Sequence, residues 1–265
     1  MRAKQSLGQH FLTDPKLLGR IADALDPVPD DIVLEIGPGR GSLTEVLLAR
    51  GVWVIAIEKD RRLAEELRDA GGGMRDAERL KMLEGDALRL DWHAVVAHPA
   101  SRISHPGFKV VGNIPYNITS PLLEKALTPP LPERIVFLVQ DEVASRVAAP
   151  PGSKTYGALS VGVQAVCRVE KLFTIAPGAF RPAPKVRSAL LRLTPLAEPL
   201  VRPEEAAAFR AFVTGCFSRR RKQLHNAVPG ATAAALTALG LDPTMRPETV
   251  APADFVRLLR CSQQL

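Results

Sequence analysis

Ile32-Val33-Leu34-Glu35-Ile36-Gly37-Pro38-Gly39-Arg40-Gly41-Ser42 joins an apolar run to a glycine-rich loop and the start of a helix. The run reads as a strand buried on both faces. Ser42 with Glu45 three residues later is a capping-box pattern, opening a helix that carries Leu43, Val46 and Leu47. Glycines placed between a strand and a helix let the backbone come close to a ligand at the carboxyl edge of a sheet, which implies a nucleotide-type cofactor. The spacing is G-x-G-x-G and not the G-x-G-x-x-G of a dinucleotide site, so S-adenosyl-L-methionine fits better than NAD.

Outward from this stretch the alternation continues. Gly51 ends the helix, and Val52 to Ile57 form a second strand followed by a helix from about Asp60. Leu80 to Leu83, Val110-Val111 and Ile135 to Val139 read as the third, fourth and fifth strands. Before them, Asp14 stands as an N-cap with Pro15 at the first helical position, and Leu17, Leu18, Ile21 and Leu25 recur on one face. Such alternation predicts an α/β domain with a mainly parallel sheet covered on both faces. Segments 169–175 and 187–193 break it and suggest a late hairpin or an antiparallel edge. Gly71 to Gly73 and the stretch 93–107 read as loops. Prolines 195, 199 and 203 form a linker, after which Phe209, Phe212, Val213, Cys216 and Phe217 fall at helical spacing. The expected domains are therefore 1–196, an α/β domain, and 197–265, a small C-terminal α-helical domain.

Two acids follow strands. Glu58 lies 21 residues after Gly37, where a carboxylate accepts hydrogen bonds from both ribose hydroxyls. Asp86, after the third strand, is placed to take an adenine amine. After the fourth strand comes Asn113-Ile114-Pro115-Tyr116. An exocyclic adenine amine is a poor nucleophile, because its lone pair is delocalised into the ring. Two acceptors aimed at its hydrogens, the Asn113 side-chain oxygen and the Ile114 carbonyl, draw the nitrogen toward tetrahedral geometry. Pro115 fixes its own φ and biases Ile114 toward an extended conformation. Tyr116 is placed to stack on a base flipped out of its helix.

Composition bounds the rest. The chain has 265 residues, 46% hydrophobic and 24% charged, with 35 Lys+Arg against 28 Asp+Glu for a formal charge of +7. These values exclude disorder and collagen-like repetition, and the surplus of positive charge favours phosphate-rich partners. No apolar stretch approaches the ~18 residues of a membrane span, and Met1 to Gln5 lack a signal-peptide run, so the expected location is the cytoplasm, without membrane contact. Cys167, Cys216 and Cys261 form no C-x-x-C pair. Neither a disulfide framework nor a zinc site is indicated, and His93, His98 and His105 read as residues of a solvated loop, so no metal is expected.

Gln5-Ser6-Leu7-Gly8-Gln9-His10-Phe11-Leu12, the glycine loop, Asn113 to Tyr116 and Phe180-Arg181-Pro182-Ala183-Pro184-Lys185-Val186-Arg187-Ser188 together closely resemble the ribosomal RNA adenine dimethyltransferases over nearly the whole chain. That resemblance implies that 1–196 is a Rossmann-like methyltransferase domain, with N6,N6-dimethyladenosine as product and S-adenosyl-L-methionine as methyl donor. Carried over by motif, His10 and Leu12 would line the donor site with Gly37, Gly39, Glu58, Asp86 and Asn113. Phe180 would stack on the target base opposite Tyr116. His10 stands where many members carry Asn, and both side chains hydrogen-bond.

The family has a housekeeping branch acting on the small ribosomal subunit and a resistance branch acting on large-subunit RNA. Gly152 to Val161 and Phe217 to Leu224 look like the first. The implied target is two adjacent adenosines in a hairpin near the 3′ end of small-subunit rRNA, within a 30S-type pre-ribosomal particle and coupled to its biogenesis. The expected enzyme acts as a monomer. Phe217 and Leu224 lie seven apart, so Arg219, Arg220, Arg221 and Lys222 are expected on an ordered helix face as phosphate contacts. The alternatives are a resistance enzyme, a non-catalytic ribosome-assembly factor that keeps the fold for RNA binding, and a DNA adenine methylase, disfavoured because no separate DNA-reading domain is seen.

Overall fold

In the computed structural model, residues 9–74, 76–97 and 107–262 are described. Gln5 to Gly8, His98 and His105 lie outside them. The elements run β1 (Phe11–Leu12), α1 (Pro15–Ala24), β2 (Ile32–Ile36), α2 (Ser42–Leu48), β3 (Trp53–Glu58), α3 (Arg61–Gly71), β4 (Leu80–Glu84), α4 (Trp92–Val96), β5 (Lys109–Asn113), α5 (Thr119–Ala126), β6 (Arg134–Gln140), α6 (Asp141–Val147), α7 (Ala158–Gln164), β7 (Cys167–Ile175), β8 (Phe180–Arg181), β9 (Ser188–Pro195), α8 (Ala206–Ser218), α9 (Leu224–Ala227), α10 (Ala233–Ala238) and α11 (Pro252–Ser262).

Among the described residues a seven-stranded sheet has the order β4-β3-β2-β5-β6-β9-β7. The pairs from β4 to β6 are parallel, and β9 runs antiparallel to β6. The chain is thus α/β with a Rossmann-like sheet. The antiparallel addition anticipated from segments 169–175 and 187–193 lies inside the edge: β9 is next to β6, and β7 is outermost. Between them the chain leaves the sheet, and β8 pairs antiparallel with β1 through Phe11↔Arg181 and Leu12↔Phe180.

β2 is buried at all five positions because it is flanked by strands on both sides and covered on both faces. On one face, Val33, Val54, Val111, Val136 and Leu190 pack with Leu18 and Ile21 of α1 and Leu47 of α2. Asp14 caps α1 as expected, accepting from the backbone N–H of Lys16 at 2.8 Å and Leu17 at 3.1 Å. The capping box at Ser42 does not form. Gly41 takes φ +82° and becomes the boundary residue itself, its carbonyl accepting from the Glu45 N–H, so Ser42 is already helical. Gly71 likewise ends α3 instead of opening a loop, and His93 lies on the short helix α4.

Two compact units emerge. The first contains residues 1–127, 131–141 and 170–194; the second contains 128–130, 142–169 and 195–265. The sequence boundary at 196/197 is corrected by this division, because 142–169 belong with the helical unit. The reason is a shared core: Tyr156, Val161 and Ala165 pack with Phe209, Val213, Cys216 and Phe255. The Tyr156 hydroxyl also donates to the Val250 carbonyl at 2.9 Å. The alanine-rich stretch 231–238 contributes α10, capped by Thr232. No helix among the described residues is long and apolar enough to cross a membrane.

Candidate active site

Parallel register brings the carboxyl ends of β2, β3, β4 and β5 into line, and the ladder runs one residue past several of them. Gly37 N–H donates to Ile57 O at 2.9 Å, Gly85 N–H to Glu58 O at 2.9 Å, and Ile114 N–H to Leu138 O at 3.0 Å. One cavity in the first unit opens at this edge, lined by the segments 9–12, 35–40, 57–59, 85–87 and 113–118. Thus His10, Leu12, Gly37, Gly39, Glu58, Asp86 and Asn113 to Tyr116 all meet there. Gly37, Gly39 and Gly41 have φ of +68°, +60° and +82°, a left-handed backbone that favours glycine. At Gly39 space adds a second reason, since a Cβ would stand 2.9 Å from the Phe11 ring.

The acids divide by environment. Glu58 is 6% exposed; its carboxylate accepts from Gly39 N–H at 3.1 Å and Asp60 N–H at 2.8 Å. Burial pushes its carboxyl above the usual range, against those hydrogen bonds. Asp86, at the rim, is held below the usual range, first by its hydrogen bond from Lys59 Nζ at 2.8 Å. A third acid, Glu35, was not singled out from the sequence. It is 1% exposed in β2, accepts from Thr44 Oγ1 at 2.7 Å, and is pushed up to about 7 by desolvation. Its signal was a lone carboxylate inside an otherwise apolar strand.

Asn113 Nδ2 donates to the His10 carbonyl at 2.7 Å. Because a carbonyl only accepts, this contact fixes the amide's orientation and leaves Oδ1 as its acceptor end. His10 Nδ1 lies 2.8 Å from the Pro182 carbonyl and for the same reason carries the proton. Tyr116, half-buried, has its hydroxyl 2.8 Å from Ser188 Oγ, and burial raises its phenol so that it stays neutral.

Phe180 does not join them. It is 1% exposed, packed in the core with Leu12, Leu18 and Ile175. Alternation along β8 turns this ring inward and leaves Arg181 exposed, so the expected stacking of Phe180 on a base opposite Tyr116 is corrected. The ring beside Tyr116 is that of His10, with centroids 5.7 Å apart and planes tilted by 30°.

In the second unit, Arg219 to Lys222 form the turn between α8 and α9 and not a helix face, because α8 ends at Ser218. Arg220 is committed internally, donating to the Lys154 carbonyl at 2.9 Å and pairing with Glu248 at 3.4 Å. Arg219, Arg221 and Lys222 are exposed. All three cysteines are free thiols, Cys167 and Cys216 buried, and among the described residues no cluster of His, Cys, Asp and Glu could hold a metal ion.

Comparison with known proteins places the chain in a family. The family model described as ribosomal RNA adenine dimethylase matches residues 1–264. The ribosomal RNA small subunit methyltransferase A of Geobacter metallireducens is 40% identical over 274 residues, covering 100% of this chain and 97% of that protein. Its namesake from Nitrosococcus oceani is 43% identical over 263 residues, covering 98% and 96%. Among solved structures, a dimethyladenosine transferase from Plasmodium falciparum matches with a TM-score of 0.78 and 28% identity, over 96% of this chain and 98% of that one. The 23S rRNA methyltransferase ErmE matches with a TM-score of 0.72 and 30% identity, over 94% and 98%. The chain belongs to the ribosomal RNA adenine dimethylase family and is an S-adenosyl-L-methionine-dependent methyltransferase.

Proposed function

We propose that this enzyme dimethylates N6 of two adjacent adenosines in a hairpin near the 3′ end of small-subunit rRNA, within a 30S-type pre-ribosomal particle in the cytoplasm, acting as a monomer. The observation that carries the chemistry is the Asn113 amide in the cavity lining, pinned through Nδ2 to the His10 carbonyl, which leaves Oδ1 as its acceptor end. What favours the small subunit is the name shared by relatives at 40% and 43% identity, against 30% for the large-subunit enzyme ErmE.

The cavity suits S-adenosyl-L-methionine. Gly37 and Gly39 bring backbone to its wall, Glu58, with lone pairs left beside its Gly39 and Asp60 contacts, would hold the ribose hydroxyls, Asp86 would hold the adenine amine, and Leu12 would line the apolar side. Glu35, in the cavity lining, would meet the donor's ammonium group, which favours its charged form. When bound, the donor supplies a methyl group made electrophilic by its sulfonium.

This chain's residues prepare the nucleophile. Asn113 Oδ1 and the Ile114 carbonyl accept the two hydrogens of the target amine and turn its lone pair out of conjugation, a preorganised arrangement worth more than the same bonds in water. Tyr116, its hydroxyl tied to Ser188, presents a ring face for the flipped base. No strong general base is required, since the amine's proton becomes acidic as nitrogen takes on positive charge. Arg219, Arg221 and Lys222 contact phosphates and position the RNA without reading its sequence.

The test offers labelled donor to undermethylated small subunits and, in parallel, to naked large-subunit RNA, followed by digestion. Label in dimethyladenosine from the small subunit alone is the expected result. Label only in the large-subunit RNA moves the chain to the resistance branch.

A further inference from the structure

Glu35 carries a carboxylate in a place where a charge is hard to keep. It projects from a strand covered on both faces, and its Oε2 accepts from Thr44 Oγ1 at 2.7 Å. Thr44, in the first turns of α2, is 0% exposed, so this hydroxyl donates from inside the protein and not from solvent. A carboxylate has about four lone-pair sites on its two oxygens, so a single bond to Oε2 leaves Oε1 able to meet a ligand.

We propose that Thr44 is a positioning residue for the methyl donor: its hydroxyl, donating to Glu35, holds that carboxylate charged and fixed toward the donor's ammonium group. This rests on reading the cavity as the donor site. Three influences act on the Glu35 proton. Desolvation holds it on and raises the carboxyl to about 7, the Thr44 hydrogen bond works against desolvation, and the charge of Glu58 on β3 adds to it. The other titratable and charged groups lining the same cavity are engaged elsewhere. Lys59 and Asp86 pair with each other, His10 Nδ1 holds the Pro182 carbonyl, and the Arg40 guanidinium lies over the Phe11 ring at 5.3 Å. Thr44 is therefore the neighbour that favours the anion. A donor ammonium arriving at Glu35 favours the same form, and the displaced proton leaves to solvent.

The experiment measures equilibrium binding of S-adenosyl-L-methionine to the full chain without RNA from pH 5.5 to 7.5, a window below the donor's own amine at about 7.7–8.0. For the wild type, affinity should rise by up to about tenfold per pH unit and level off near pH 7. Thr44→Val keeps the shape and removes the donor, so its affinity should still be climbing at pH 7.5 and stand about tenfold or more below wild type there. Thr44→Ser should restore the wild-type profile, and Glu35→Gln should bind weakly with a flat profile. If Thr44→Val does not fold, Thr44→Ala removes the same hydroxyl.

A flat, weak Glu35→Gln beside a Thr44→Val of wild-type profile overturns the proposal and leaves the donor site standing. A Thr44→Val that is weaker at every pH by one constant factor also overturns it, since packing alone would do that. Glu35→Gln with wild-type affinity and profile removes Glu35 from the donor site and overturns the underlying reading itself.

Discussion

The cavity of the first unit and the basic turn of the second both present polar side chains, and they hold them in opposite ways. In the cavity each critical group is already tied: Asn113 to His10, Tyr116 to Ser188, Glu35 to Thr44, Glu58 to two backbone N–H groups. In the turn, Arg221 and Lys222 are exposed, and Arg220 is the residue with a firm internal anchor. Enclosed groups act through fixed geometry in a low dielectric, so each carries a large effect that salt barely touches. Exposed charges act by their number, each contributes little, and salt screens them.

The largest expected effect lies in the cavity. Asn113→Ala removes an acceptor aimed at the reacting amine, and the turnover rate at saturating donor should fall about 10²–10³-fold. Initial rates at low and high salt should show the same ratio; a loss that salt reverses would break the contrast. Next comes Glu35→Gln, read as stability. A carboxyl raised in the folded protein supports folding below its ordinary value near 4.5, and that support is lost as pH rises through about 7. The variant, uncharged throughout, should therefore be more stable than wild type by about 3 kcal/mol at pH 8 and equal to it at pH 4, in denaturant melts without donor.

Tyr116→Ala removes a stacking face and should lower kcat/KM for RNA about 10- to 100-fold while donor affinity survives. Equal losses of both would point to misfolding. The smallest effect belongs to the turn. Arg221→Ala with Lys222→Ala should weaken RNA binding modestly and reduce the slope of log K against log salt by about one per charge. An unchanged slope would refute phosphate contact. Arg220→Ala should differ in kind, destabilising the second unit through the lost Lys154 and Glu248 contacts.

Much of this was legible in the sequence because it obeys local rules. Alternating apolar runs gave the parallel strands within a residue or two, and strand-end placement gave Glu58, Asp86 and Asn113. What failed depended on distant partners. The resemblance implied a stacking ring at Phe180, but β8 pairs with β1 and turns it into the core. The boundary at 197 missed that Tyr156 and Val161 share a core with helices 50 to 100 residues onward. Glu35 was invisible as a site residue because its strand looked like core, and its burial, the very cause of its raised proton affinity, is a tertiary fact. Arg219 to Lys222 misled through spacing, since Phe217 and Leu224 fall seven apart on either side of a turn.

The contact between His10 and Pro182 spans 172 residues, and through the His10 carbonyl it also supports the catalytic amide. During translation the segment around His10 emerges first and its partner strand near the end of the sheet's sequence. At about 5–20 residues per second, that separation is a wait of roughly 10–30 s. The tie that fixes His10, and through its carbonyl the Asn113 amide, thus arrives late, when residues 180–182 reach the segment around His10. A nascent chain of this enzyme lacks that support for its Asn113 amide until the segment is made.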